Sequence, residues 1–458
     1  MPSRRPRREE RSLRPAQTTP KKSLPPGPAA PPVVQTLRWL RRPVELLEDC
    51  RRRYGDVFSL KFLGFGSPMV LLSDPEVVGA LYGEREQLMP PLRSASLEPI
   101  MGAGSLLLLE GAQHLERRRL MLPQFHGEAL RRYEATMREI AEREIAGWAV
   151  GSDVVLHEAM RRVTLEVILR VVFGVSDEQR RARLRELVPA LLAKTSSAAL
   201  SFRVLAARRL GLGNPLERLG AEREEIDRLL YEEIAQRRRD GANDVLSLLA
   251  AARFEDGAPL SERELRDHLM TLLLAGHETT ATALAWTFEL LLRSPEVLTR
   301  ARERDEDYLR AVCSEALRLR PVVPLAGRRL ARELRAGRYV LPAGTDVTPA
   351  IWLLHTREDL YPQPYEFRPE RFLDGAPASY AWIPFGGGVR RCLGAAFAEL
   401  EMRVVLAAVL ERVELRALRR EPERIARRNI TFAPAHGTPV RVLALRDAGR
   451  PAPAAAAA

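Results

Sequence analysis

The sequence predicts a mainly α-helical protein, one large helical domain carrying a small β-rich region. Three observations carry that prediction. From about residue 75 to residue 320 the apolar pattern is almost wholly helical. Strand-like alternation is confined to short stretches at 58–74, 328–349 and 429–444. No Pro/Gly/Ser-rich linker and no repeat of 20–50 residues divides the chain between about residues 35 and 447.

The elements follow in order. A short helix is expected over 43–53, then a hairpin in FSLKFLGFGSPMVLLSD (58–74), turned by its Gly and Pro residues. The helical region breaks at GAGS (102–105), GVSD (174–177), GLGNP (211–215) and EDGAP (255–259). Its longest helix opens at Ser261–Glu264, which has the form of a capping box, and stops at Arg293-Ser294-Pro295. At 1.5 Å per residue it spans about 45 Å. It is apolar on most faces, hence buried through the molecule. Asp267, His268, His277, Glu278, Thr279 and Glu289 argue against a membrane span. A final strong helix covers roughly 393–412.

Composition bounds the function. The 458 residues are 46% hydrophobic, enough for a large core. Residues 1–34 form a basic, Pro-rich tail expected to be disordered, followed by a domain over 35–447 and an Ala/Pro tail over 448–458. Residues 1–22 hold eight Lys/Arg against two Glu, about half of the net charge of +12. That stretch has neither a signal-peptide core nor the ~20 apolar residues of an anchor. Nucleic acid or anionic lipid are possible targets of its charge, and a solvated arm is the plainer reading. Three cysteines, Cys50, Cys313 and Cys392, make no disulfide framework and point to the reducing cytoplasm.

Some motif fragments lead nowhere. No GxG string completes a GxGxxG fingerprint, so no dinucleotide site is expected. His277-Glu278 begins a zinc HExxH, but Ala281 stands at the second ligand position. The basic cluster near 110–119 lacks interleaved stacking aromatics.

Two segments carry chemistry. In FGGGVRRCLG (385–394), Gly386, Gly387 and Gly388 permit a tight turn close to a flat ligand. Arg390 can pair with a carboxylate, Phe385 offers an aromatic wall, and Gly394 lets the next helix pack closely. Cys392 sits at a helix start, where amides and dipole are expected to lower its pKa. In the long helix, AGHETT places Gly276 where a close approach is expected. Thr279 can bond back to the Ala275 carbonyl, loosening the helix, and Glu278 beside it can relay protons.

Together these segments resemble the cytochrome P450 haem-thiolate monooxygenases. FGGGVRRCLG fits the family pattern FxxGxxxCxG, AGHETT its oxygen-activation motif, and Glu315/Arg318 its ExxR, followed by FRPERF at 367–372. ExxR alone is weak in so charged a chain, since Glu116/Arg119, Glu158/Arg161 and Glu178/Arg181 also fit. The order of the motifs gives it weight.

The resemblance implies the cytochrome P450 fold, haem b (iron protoporphyrin IX) and Cys392 as the iron ligand. It implies His114, Arg118, Ala275, Gly276, Arg328, Phe385, Gly386, Arg390 and Gly394 around the cofactor. Glu278 and Thr279 are the implied catalytic pair, and Glu315, Arg318 and Arg371 a buried ion network. His114 stands where many relatives have Trp, and the stretch PEVLTRARERDEDYL looks shortened. The implied activity is insertion of one oxygen atom from O2 into a lipophilic small molecule by a monomer. Electrons are expected from a ferredoxin or flavodoxin with its reductase, because no nucleotide site is present. The alternatives are a haem-thiolate isomerase, dehydratase or peroxide-driven hydroxylase, and more distantly a basic-tail nucleic-acid binder or an enzyme of the lipid surface. Substrate contacts are expected from 85–105, 185–220, Ala275–Thr279, Val322–Ala326 and 429–433.

Overall fold

The computed structural model describes residues 24–90, 97–195, 220–241, 244–375, 377–428 and 430–446. The expected break at 211–215, parts of the expected substrate loops (91–96, 196–219, Asn429) and most of both tails lie outside them.

Helix comes first. α1 (Pro32–Arg41) and α2 (Pro43–Tyr54) each begin with a proline, whose fixed φ suits a first helical turn. The expectation of a tail reaching residue 34 does not hold. The Pro25 and Pro26 carbonyls already accept hydrogen bonds from Ser59, and α1 lies across the expected boundary. β1 (Val57–Leu60) and β2 (Met69–Leu72) form the expected hairpin. α3 (Pro75–Gly83), capped by Asp74, and β3 (Gln87–Leu88) follow.

The helical body comprises α4 (Gly111–Met121), α5 (Glu128–Ala146), then β4 (Asp153–Val155), α6 (Leu156–Val167) and a π-turn over Ile168–Val172. It continues with α7 (Glu178–Thr195), α8 (Gly220–Asp240), α9 (Val245–Ala251) and α10 (Glu262–Leu292). α10 is the expected long helix. Its capping box is complete, Ser261 and Glu264 each satisfying the other's amide. α10 packs against α6 and the later helices α12 (Glu306–Leu319) and α14 (Ala395–Arg412), with α11 (Pro295–Ala301) between α10 and α12.

The β-rich region is a five-stranded sheet in the order β1-β2-β8-β5-β3, using β5 (Arg328–Leu330) and β8 (Asp346–Pro349). β6 (Leu334–Ala336) and β7 (Tyr339–Leu341) pair beside it, and α13 (Ile351–His355) follows. β9 (Val413–Ala417) continues directly from α14 and joins β4 and β12 (Pro439–Leu445), while β10 (Ile425–Arg428) pairs with β11 (Thr431–Pro434). Sequence pattern missed α1, α13, β3, β4, β9 and β10. The four strands and the five-residue α13 are too short for a period to show, and α1 turns an apolar stripe outward.

No helix among the described residues is long and apolar enough to cross a membrane.

Candidate functional site

The cysteine loop enters α14. Its turn is closed by the Cys392 amide donating to the Phe385 carbonyl at 2.9 Å, and by the Gly386 amide donating to the Ile383 carbonyl at 2.9 Å. Gly388 has φ +65°, and a Cβ there would lie 2.3 Å from Gln87 Nε2 and 2.5 Å from the Tyr82 carbonyl. Gly386 also has positive φ, whereas Gly387 is extended with the Tyr82 ring against it. Gly387 and Gly388 let α3 and β3 press onto the loop, while a Cβ on Gly386 would meet only the Tyr82 hydroxyl, at 3.8 Å. Gly394 does the reverse of what was expected: a Cβ there would meet nothing within 4 Å. It leaves a free flank beside Cys392 instead of tightening helix packing. Phe385 stands edge-on to Trp382, with ring centroids 6.2 Å apart, which fixes its ring in the core wall.

Of the three cysteines, Cys50 and Cys313 are buried and Cys392 is exposed. The expected lowering of its pKa is not met. Surrounding protein pushes the thiol up, against the opposing pull of the Gly394 amide, Arg118 and Arg391. An accessible thiol that is nonetheless desolvated faces a recess, not the outer surface.

Beside it lies a cationic cluster. Buried His114 on α4 has its pKa held down at about 4 by burial and then by Arg390, Arg118 and Arg328. Arg118 makes no side-chain hydrogen bond or ion pair among the described residues. Arg328, nearly buried at the start of β5, donates to Gln87 Oε1 at 3.2 Å and to the Gly327 carbonyl at 2.9 Å. Arg390 donates to the carbonyls of Gln87 (2.6 Å), Leu109 (2.6 Å) and Leu107 (3.4 Å). Backbone carbonyls therefore occupy much of the guanidinium that was expected to serve a carboxylate. It acts as a clamp between the cysteine loop, β3 and the segment before α4. Gln87, which no sequence signal marked, joins Arg328, Arg390 and Gly388 through its side chain and carbonyl.

The α10 motif is the second part. Leu265–Thr271 and Thr280–Leu291 are buried almost throughout, yet Ala275 between them is exposed and Gly276, Glu278 and Thr279 are half-buried. The Thr279 hydroxyl donates to the Ala275 carbonyl at 2.6 Å, as expected, but the helix is uninterrupted. Thr271 and Thr287 make the same bond elsewhere in α10. Gly276 is not approached by open space. A Cβ there would lie 2.8 Å from the tip of Ile168 in the π-turn.

Glu278 turns toward α6. It pairs with Arg161 Nε at 2.9 Å and lies 3.5 Å from His157 Nε2. Burial raises its pKa, while Arg161 and Arg428 oppose the rise. Arg161 also pairs with the half-exposed Glu158 at 3.1 Å, so a pair that looked like an incidental ExxR links Glu278 to solvent.

The ion network assembles as expected on α12. Arg318 donates to both Glu315 oxygens, at 2.7 and 2.8 Å, with both side chains fully buried. Arg371 Nε lies 3.4 Å from Glu315. Arg318 also donates to the carbonyls of His355 and Pro364, each at 2.8 Å.

An exposed thiol flanked by open space, with arginines grouped around a neutral histidine, fits an iron macrocycle bearing carboxylates. The thiol suits iron and the guanidiniums suit the acids.

Comparison with known proteins agrees. The family model "Cytochrome P450" matches residues 25–437, and the chain belongs to that family. Cytochrome P450 135B1 of Mycobacterium tuberculosis is 43% identical over 440 residues, covering 93% of this chain and 92% of that protein. Cytochrome P450 137 of the same species is 40% identical, covering 85% and 83%. Among solved structures, retinoic acid-bound cyanobacterial CYP120A1 superposes with a TM-score of 0.79 at 25% identity, over 93% of this chain and all of that one. The cytochrome P450DA haem domain gives 0.80 at 24% identity, which speaks for the fold. Members of the family bind haem and are generally monooxygenases that use O2 and redox partners.

Proposed function

We propose that this protein is a haem b monooxygenase that inserts one oxygen atom of O2 into a lipophilic small molecule. The observation that carries this reading is Cys392, an accessible thiol held on the glycine loop with Arg118 beside it. Cys392 would ligate the iron, while Arg118, Arg328 and His114 would receive the carboxylates. The chain has no C-x-x-C-H motif for covalent attachment, which favours the b-type cofactor. Once bound, the haem supplies O2 activation, a chemistry that thiolate ligation favours.

The remaining work belongs to the chain. The Thr279 hydroxyl donates its hydrogen bond to the Ala275 carbonyl, so the lone pairs of Oγ1 remain to accept a hydrogen bond from a proton-bearing group. Glu278, its pKa raised, would take protons from water and pass them inward, while Arg161, itself paired with Glu158, holds the carboxyl in place. Exposed Ala275 and half-buried Val323 and Ala326 offer apolar walls to a substrate. A structural neighbour described as retinoic acid-bound is consistent with a lipophilic one. Electrons would arrive from a ferredoxin or flavodoxin with its reductase, and exposed Arg391 beside Cys392 favours an acidic partner. We place this activity in the cytoplasm.

The test is spectroscopic and kinetic. Cys392→Ser should remove the red-shifted Soret band of the reduced, carbon monoxide-bound protein. Thr279→Ala should keep consuming NADPH while diverting it to hydrogen peroxide. A surviving red-shifted band would defeat the ligand assignment, and full coupling in Thr279→Ala would defeat the monooxygenase reading.

A further inference from the structure

α1 is built inside out. Its uncharged polar residues face the protein: Gln35 is 1% exposed, donates to the Pro28 and Ala30 carbonyls and accepts from the Lys61 amide, while Thr36 accepts from the Leu63 amide. Apart from Trp39, its apolar residues face out. Val33 (47% exposed), Leu37 (44%) and Leu40 (46%) recur at helical spacing along one stripe, with Val34 (40%) on its flank. A soluble surface helix has the opposite arrangement. Burying these side chains would be favourable, yet the described protein leaves them uncovered.

The surroundings indicate what would cover the stripe. Arg41 and Arg42 are exposed at its C-terminal end. Across residues 32–53 six arginines stand against three carboxylates, and Arg38 pairs with Asp49 at 2.7 Å. The chain immediately upstream, residues 1–22, adds eight Lys/Arg against two Glu. A second copy of so cationic a face would be repelled. Nucleic acid would take the charge but not the aliphatic stripe, and Trp39, the one aromatic residue of α1, is packed between Phe62 and Phe432. A surface that is both anionic and apolar just beneath its charges answers both features.

We propose that α1 lies in the headgroup layer of an anionic lipid membrane, Val33, Leu37 and Leu40 inserted and the arginines at phosphate level. The protein then works as a peripheral enzyme, its domain held against the bilayer that would dissolve an apolar substrate.

Co-sedimentation of the full chain with vesicles tests this. Wild-type protein should bind vesicles of mixed phosphatidylglycerol and phosphatidylcholine, and bind pure phosphatidylcholine far less. The double variant Leu37→Glu with Leu40→Glu should bind the mixed vesicles about tenfold or more weakly. Circular dichroism should show its fold unchanged, and should the Glu pair disturb the fold, the Ser pair takes its place. Wild-type protein that stays in the supernatant with anionic vesicles overturns the proposal. So does a variant that binds like wild type, which would leave the attraction to the basic tail alone. A lipid-free dimer in sedimentation equilibrium that the variant dissolves would also overturn it, assigning the stripe to a second copy.

Discussion

The imidazole of His355 accepts a 2.9 Å hydrogen bond from the amide of Ile383, just upstream of the cysteine loop. Its other nitrogen, Nδ1, donates to the Arg318 carbonyl at 3.2 Å, and Arg318 in turn donates to the His355 carbonyl. One neutral imidazole, with its proton on Nδ1, therefore joins the Glu315/Arg318 network to the loop that carries Cys392. Burial and the Arg318 charge hold its pKa down at about 3.

That pairing sets an acid sensitivity. The folded pKa lies below the ordinary histidine value of 6.5, so the stability it provides is fully present above pH 6.5. As pH falls from there toward about 3, only the unfolded chain takes the proton, at a cost of up to about 1.4 kcal/mol per pH unit. His355→Asn should be destabilised near neutral pH by about 1–3 kcal/mol. Its deficit against wild type should shrink through that window in urea titrations at a series of pH values. A constant deficit would mean that His355 titrates normally.

Breaking the buried ion pair should be severe. Glu315→Ala or Arg318→Ala leaves an uncompensated buried charge, a loss of about 3–5 kcal/mol. Arg371→Ala should cost clearly less, because its nearest approach to Glu315 is 3.4 Å and it also rests on the Gln363 carbonyl. Thermal unfolding and haem content of the purified variants give the order.

Arg161 restrains Glu278, and the two should separate kinetically. Glu278→Gln removes the proton donor and should slow turnover by about 100-fold or more. Arg161→Ala keeps the donor but removes a charge that lowers its pKa, so the carboxyl should titrate at higher pH. The pH profile of kcat should move upward in Arg161→Ala. An unmoved profile with normal turnover would exclude Glu278 as the titrating group.

Glu401 is a buried liability on α14. Its Oε1 has no hydrogen-bond partner among the described residues, and burial raises its pKa well above the usual 4.5. With the folded pKa raised, its stability contribution is intact below about pH 4.5 and declines as pH rises toward the folded value. Glu401→Met should therefore be stabilised near neutral pH by about 1–3 kcal/mol, with the gain vanishing in acid. Melting temperatures across pH give the answer.

The sequence by itself determined whatever depends on neighbours along the chain. The capping box of α10, the Thr279 back-bond, the i,i+3 pair Glu315–Arg318 and the turn around Cys392 all form between residues a few positions apart. Their side-chain types were enough to announce them, and their order was enough to name the family. Tertiary structure decided where those groups point. Gln87 meets Arg328 across 241 positions, and Arg390 is claimed by carbonyls more than 280 positions away. Glu278 turns to Arg161 on another helix, and Gly276 yields to Ile168. Even the pKa of Cys392 follows this division. The helix start that should lower it is local and legible, but the burial that outweighs it is made by the whole fold.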